Sequence, residues 1–343
     1  MELHDVKEHL QNHFSDGLVV VVGSGLSCAE GLPGMADLAK HLDNELKNGL
    51  DKDDEAIWQK VLALINCGTD LETALLKIQV SESLEKTITN VTHSYIRTHE
   101  EKIVREVIEQ SRELRFSRLL RHLLKPNSGI PVITTNYDRL LEVAAERQGV
   151  GVNNTFSGKY VGQFDPRASK FGLARSVIQR AKKVFLKYAD FVSIYKPHGS
   201  IDWFLVDNEP VCTSLSVNED KLIITPGVNK FRGGYERPFD THRELSNKAI
   251  DRASRFFIVG YGFNDDHLQV HLDREMRKGK PTIVLTCSIS VEFRNYIQDK
   301  KNIWAVCSNG GSDGFTLFVG ESEFHFAGPN IWDLEIFVRE VLE

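Results

Sequence analysis

Leu18-Val19-Val20-Val21-Val22-Gly23-Ser24-Gly25-Leu26-Ser27 is the stretch that decides the fold. Its first half is an apolar run of strand length rich in β-branched side chains, which stiffen at χ1 and suit an extended backbone. The run does not alternate with polar residues, so it reads as a strand buried on both faces. Such strands belong to parallel sheets covered by helices on either side. The run then breaks into Gly-Ser-Gly, where glycine lets the backbone turn sharply and approach a ligand, and where N–H groups can face an anion. Alone, Gly-x-Gly fits a strand-to-helix turn without a ligand equally well.

Working outward, short apolar runs place further strands at 131–135, 191–195, 221–225, 255–259, 281–286 and 303–307. Helical periodicity fills the stretches between them. Residues 36–48 and 54–66 read as amphipathic helices, and 82–125 as a charged, helix-rich segment with Ile103, Val107 and Leu114 facing a core. Residues 168–189 repeat the pattern through Leu173, Val177, Ala181 and Phe185, spaced by four. Strands alternating with helices define an α/β protein with a parallel sheet. About a hundred residues separate the first two strands, where a plain βαβ unit needs ~30. The expectation is a Rossmann-like, doubly wound parallel sheet with an inserted helical module, all one domain over 1–343. Its core spans about 16–34, 126–148 and 190–320; the insertion is about 36–125, with 150–190 as a candidate second part.

Composition narrows the function classes. The 343 residues are 41% hydrophobic and carry a formal charge of −6, with no global basic field to attract nucleic acid. No apolar run approaches the ~18 residues of a membrane helix, and Met1-Glu2-Leu3-His4-Asp5 lacks the character of a signal peptide. Five scattered cysteines (Cys28, Cys67, Cys212, Cys287, Cys307) form no CxxC pair, which argues against a disulfide framework and a zinc knuckle. The reducing cytoplasm is the expected compartment.

Two more motifs follow strands. Val132-Ile133-Thr134-Thr135-Asn136-Tyr137-Asp138 ends at the carboxyl edge of the sheet, where ligands of open α/β sheets lie. Asn136 or Asp138 could equally cap the helix beginning near Arg139. Ile194-Tyr195-Lys196-Pro197-His198-Gly199-Ser200-Ile201-Asp202-Trp203 places His198 at the same edge, adding a third polar element to one pocket. An ordinary Rossmann dehydrogenase fits poorly: its third glycine falls on Cys28, and no strand ending in an acidic residue follows about 20 residues on.

Together these segments resemble the sirtuin family. The first is similar to its Gly-x-Gly-x-Ser-x-x-x-Gly-Ile-Pro pattern at Gly23, Gly25, Ser27, Gly31 and Pro33, with Leu32 for Ile. Asn136-Tyr137-Asp138 stands for its Asn-Ile-Asp, and His198-Gly199 for its His-Gly. Phe257-Ile258-Val259-Gly260-Tyr261-Gly262-Phe263-Asn264-Asp265-Asp266 falls where the family holds the adenosine ribose. The resemblance covers roughly 18–290. It implies NAD+ as substrate, with Asn136, His198 and Asp138 as catalytic residues. Gly23, Ser24, Gly25, Ser27, Pro33, Thr135, Gly199, Gly260, Tyr261 and Asn264 would bind it, the first glycine-serine set cradling the diphosphate and Gly260, Tyr261 and Asn264 lying on the adenosine side.

The chain departs from protein-deacylating sirtuins in three places. Only Cys212 lies between His198 and Cys287, so the zinc module of two CxxC pairs has no counterpart and no metal is expected. Ile224-Thr225-Pro226-Gly227 occupies the region of the family's peptide-gripping Phe-Gly-Glu strand, and Gly34-Met35-Ala36 replaces Asp-Phe-Arg after the proline. What remains looks like the zinc-less sirtuin-like effectors of bacterial antiphage systems, with their Tyr-Lys-x-His-Gly-Ser-Ile-Asp-Trp and Gly-Tyr-x-Phe-x-Asp segments. That resemblance implies an NAD+ glycohydrolase that releases nicotinamide and ADP-ribose. It also implies a homo-oligomer triggered by a separate protein, of which a HerA-type ATPase and an Argonaute-like protein are examples. The open alternatives are an NAD-dependent deacylase or ADP-ribosyltransferase, a non-catalytic NAD or ADP-ribose sensor, and a nuclease subunit using Asp265-Asp266-His267.

Overall fold

β1 (Leu18–Val22) lies inside a nine-stranded sheet, paired in parallel with β2 (Ile130–Thr134) on one side and β12 (Arg255–Val259) on the other. The computed structural model describes residues 1–47, 49–180, 183–225, 236–263, 265–311 and 313–343. Beyond β2, parallel pairing continues to β8 (Phe191–Tyr195) and β3 (Gly151–Asn153). Beyond β12 it continues to β13 (Thr282–Thr286) and β14 (Ile303–Ser308). Two antiparallel strands, β15 (Phe315–Val319) and β16 (Ser322–Phe326), extend that edge.

The alternation of side chains along β1 shows why its run is apolar throughout. Val20 and Val22 join one buried cluster with Leu119, Leu141 and Phe337, while Val19 and Val21 join another with Ile250, Leu272 and Ile297. Both faces are therefore covered by helices, as a doubly wound sheet requires. Each such side chain removed from water contributes roughly 1.5–3 kcal/mol. The expected strands at 18–22, 131–135, 191–195, 255–259, 281–286 and 303–307 all lie in this sheet, within a residue at each end.

A short helix, Ser24–Ala29, follows β1 directly, and the inserted segment up to β2 then carries helices Met35–Leu46, Lys52–Asn66, Leu71–Lys77, Glu82–Ile108 and Arg115–His122. The first three of the insertion and the start of its fourth bury Leu42, Trp58, Leu75 and Leu84 in a cluster of their own. Asp51 and Ser81 cap two of these helices through side-chain oxygens that accept backbone N–H groups, as short polar residues do at helix starts. The far end of Glu82–Ile108 leaves this cluster: Ile103 and Val107 pack with Leu114 into the main core.

Two expectations need correction. Residues 168–189 are not a continuing helix. Pro166–Phe171 is helical, and β6 (Ala174–Arg180) and β7 (Lys183–Tyr188) then form an antiparallel hairpin. Val177, Ile178, Val184 and Phe185 are β-branched or aromatic residues that favour strands, and a four-residue spacing is compatible with period two as well as with a helical turn. Ala181 lies outside the described residues. Residues 150–190 are thus mostly strand and do not extend the helical insertion.

The expected strand at 221–225 forms, but not in the parallel sheet. β11 (Asp220–Ile223) belongs to a five-stranded antiparallel sheet with β9 (Gly199–Val206), β10 (Glu209–Cys212), β5 (Gly162–Phe164) and β4 (Phe156–Ser157). Among the described residues, no helix is long and apolar enough to cross a membrane.

Candidate functional site at the carboxyl edge of the sheet

β1, β2, β8 and β12 run parallel, so the loops after Val22, Thr134, Tyr195 and Val259 emerge at one edge. They enclose a cavity of about 280 Å³ lined by Gly23, Ser24, Ser27, Pro33, Thr135, Asn136, Asp138, His198 and Tyr261, among others. Met35, Leu38, Asp70, Glu72 and Ile96 from the helical segment complete its wall. A second cleft of about 370 Å³ adjoins it, sharing Ser24, Tyr261 and Gly262 and adding Gly25, Gly260, Phe263 and Trp332.

The glycines act first on the backbone. Gly23 N–H donates to Val259 O and Gly25 N–H to Gly260 O, each at 2.9 Å. A Cβ on Gly23 would collide with Gly260 and Tyr261, so only glycine lets the two loops touch. The N–H groups of Gly23 and Gly25, expected as donors to an anion, are therefore occupied by the end of β12.

Asn136 is fixed by two bonds from its side-chain amide, to Gly23 O at 3.0 Å and to Ser27 Oγ at 2.8 Å. Ser27 Oγ in turn donates to Asp138 Oδ2 at 2.7 Å. Both hydrogens of the Asn136 amide are thereby committed, which leaves Oδ1 as its acceptor. Asp138 is buried, and its Oδ1 also accepts the Leu140 N–H at 3.1 Å. One Asp138 oxygen thus holds the first N–H of the helix Leu140–Arg147 and the other is held by Ser27, while the N-cap position itself falls on Arg139, without a side-chain cap bond.

His198 sits with Nε2 2.6 Å from Asp265 Oδ2, both side chains largely buried. Asp265 is itself held, since Oδ1 caps the helix Asp266–Arg277 through the Leu268 N–H at 2.9 Å. An Nε2 proton shared with this carboxylate leaves Nδ1 as the nitrogen carrying the lone pair. Tyr137 donates its hydroxyl to Ile224 O at 2.6 Å, and burial pushes its pKa well above the usual tyrosine range.

Behind the cavity lies a buried ionic group. Lys196 Nζ donates to Asp138 O and, at 3.2 Å, to Ser200 Oγ, and it pairs with Glu142 at 3.0 Å. Burial pushes Glu142 up to about 7 against the attraction of Lys196. Burial also works against the Lys196 charge, yet Glu142, Asp138 and Asp202 together hold its pKa above the ordinary lysine value.

Of the residues singled out in the sequence, Gly23, Ser24, Ser27, Pro33, Thr135, Asn136, Asp138, His198 and Tyr261 meet in the first cavity. Gly25 and Gly260 line the second. Gly199 lines neither: it opens β9 with φ +84, where a side chain would collide with Leu222 O. Asn264 lies outside the described residues. Asp265, read as part of an adenosine-side turn or a metal-binding cluster, instead faces His198. The described residues contain no group of three or more His, Cys, Asp or Glu arranged to hold a metal ion.

Fold and site define an α/β protein with a cavity at the carboxyl edge of a parallel sheet, where Asn136, Asp138 and His198 stand among apolar side chains. More particularly, the chain belongs to the SIR2-like domain family, which matches it over residues 131–305. Among solved structures it is similar to a Sir2 mutant with p53 peptide and NAD, at 13% identity and TM-score 0.42 over 100% of this chain and 98% of that one. A Sir2Tm structure with a propionylated peptide shares 12% identity at TM-score 0.40, over 85% and 89% of the two chains. A third, from work on sirtuin substrate affinity, shares 14% at TM-score 0.39, over 85% and 90%. No curated protein matches the chain.

Proposed function

We propose that this protein is an NAD+ glycohydrolase, which splits NAD+ with water into nicotinamide and ADP-ribose. The observation that carries the reading is the convergence of Asn136, Asp138 and His198 on one cavity that continues into a second cleft. Two adjoining compartments suit a dinucleotide, with the reacting ribose beside the polar residues and the adenosine beyond Tyr261.

Nicotinamide leaves as a neutral molecule from a cationic ring, so positive charge develops on the sugar as the C1′–N bond breaks. The protein's task is to orient that bond, stabilise the charge and admit water. Asn136 Oδ1 would accept a hydrogen bond from the sugar or the water. His198, held by Asp265, would take the proton that water loses as its oxygen bonds to C1′. Asp138 would receive the nicotinamide carboxamide. Ser27, expected to touch phosphate, would chiefly hold Asn136 and Asp138 in register.

The antiphage resemblance of the motifs extends this proposal to a cytoplasmic, oligomeric effector that depletes NAD+ once a separate protein triggers it. Incubating the purified chain with NAD+, with and without the protein encoded beside it, tests the chemistry. Release of nicotinamide and ADP-ribose that is lost in Asn136→Ala and His198→Ala is the expected result. Near-full turnover in both variants contradicts the assignment.

A further inference from the structure

Lys196 is one of the largest fully buried side chains in the protein, and nothing in the proposed reaction uses it. Its ammonium nevertheless bridges the two segments that carry the reacting groups. Lys196 lies two residues before His198, in a turn closed by the Gly199 N–H donating to Lys196 O at 3.1 Å. Its own N–H donates to His242 Nδ1 at 3.0 Å, which fixes the backbone at that point. From there Nζ reaches across to the carbonyl of Asp138 and to Ser200 Oγ. Ser200 Oγ donates to Tyr137 O at 3.2 Å, and Ile201 N–H to the same carbonyl at 3.0 Å.

The carbonyls of Tyr137 and Asp138 are thus gripped from the His198 turn, while the side chains of Asn136 and Asp138 are gripped from Gly23 and from Ser27 of the short helix Ser24–Ala29. We propose that Lys196 is a positioning residue, which with Ser200 sets the distance between His198 and the Asn136–Asp138 pair. The inference rests on the reading of those three residues as the reacting groups. It gives the Tyr195-Lys196-Pro197-His198-Gly199-Ser200 segment a second purpose: one residue faces the substrate, and two hold the opposing loop.

A buried ion pair is costly to break at one end, but replacing both partners by apolar side chains of similar size is often neutral or stabilising. That asymmetry separates positioning from mere stability. Lys196→Met alone should lower the melting temperature and turnover together. Lys196→Met combined with Glu142→Met should restore the melting temperature, yet kcat should stay about 100-fold down with KM little changed, the scale expected of a misplacement of ~1 Å. Ser200→Ala, a milder change that removes its bonds to Lys196 Nζ and Tyr137 O, should lower kcat roughly 5- to 30-fold.

A second measurement does not depend on hydrolysis. The His198 ring resonances, assigned by their loss in His198→Ala, should shift in the Lys196→Met/Glu142→Met protein. A wild-type chain that leaves NAD+ intact would defeat the functional reading, and the resonance shift would still decide the role of Lys196. Recovery of wild-type kcat in the double variant, or His198 resonances that stay in place, overturns the proposal.

Discussion

At the scale of single residues, the His198–Asp265 contact is the one whose chemistry can be isolated most cleanly. Asn serves as well as Asp at a helix N-cap, so Asp265→Asn should keep the helix Asp266–Arg277 while removing the carboxylate beside Nε2. The expected outcome is a drop in kcat of ~10²-fold with KM little changed, the low end for losing acid–base assistance, measured by nicotinamide release. The sequence exposed His198, Asn136 and Asp138 because each follows a strand-length apolar run. It concealed the partner of His198, since Asp265 follows a different strand and meets the imidazole only when β8 and β12 take their places in the sheet. Ser27 was legible as a pocket residue but not as the link between Asn136 and Asp138. A serine hydroxyl both donates and accepts, so its partners depend on the fold.

At the scale of elements, the close approach of the helix Ser24–Ala29 to the turn after β12 carries a prediction of its own. Gly260 has φ +60, and a Cβ there would meet the backbone of Gly25 and Leu26. Gly260→Ala should therefore cost ~1–3 kcal/mol by overpacking, with left-handed strain added, read as a lower urea midpoint at unchanged slope. The strands of the main sheet were legible because burial on both faces leaves an unbroken apolar run. The hairpin β6–β7 was not, because Leu173, Val177 and Phe185 satisfy a four-residue spacing while Val177-Ile178 and Val184-Phe185 satisfy a strand preference. Sequence periodicity carries no term for the partner strand that settles such a case. The strand at 221–225 was legible as a strand only; which sheet it joins depends on its pairing with β9.

At the scale of the whole molecule, buried histidines tie stability to pH, and His13 and His242 carry the larger shifts. Desolvation lowers His13 to about 4, and it lowers His242 to about 3. Both folded values lie below the unfolded value of ~6.5, so the unfolded chain binds more protons as pH falls and stability must fall with it. Between about pH 6.5 and 4 each group should contribute a slope of up to ~1.4 kcal/mol per pH unit. Urea unfolding at pH 5, 6 and 7.5 measures it. His242→Gln, which can keep the bonds to Thr155 and the Lys196 N–H, should flatten the slope. The central claim concerns what the molecule does with its two adjoining clefts. Its most direct test is product analysis of NAD+ incubated with the wild-type chain, beside His198→Ala. Equimolar nicotinamide and ADP-ribose from the wild type, reduced ~10²–10⁴-fold in the variant, is the predicted result; NAD+ left intact by the wild type under every condition, or hydrolysed equally by His198→Ala, would contradict it.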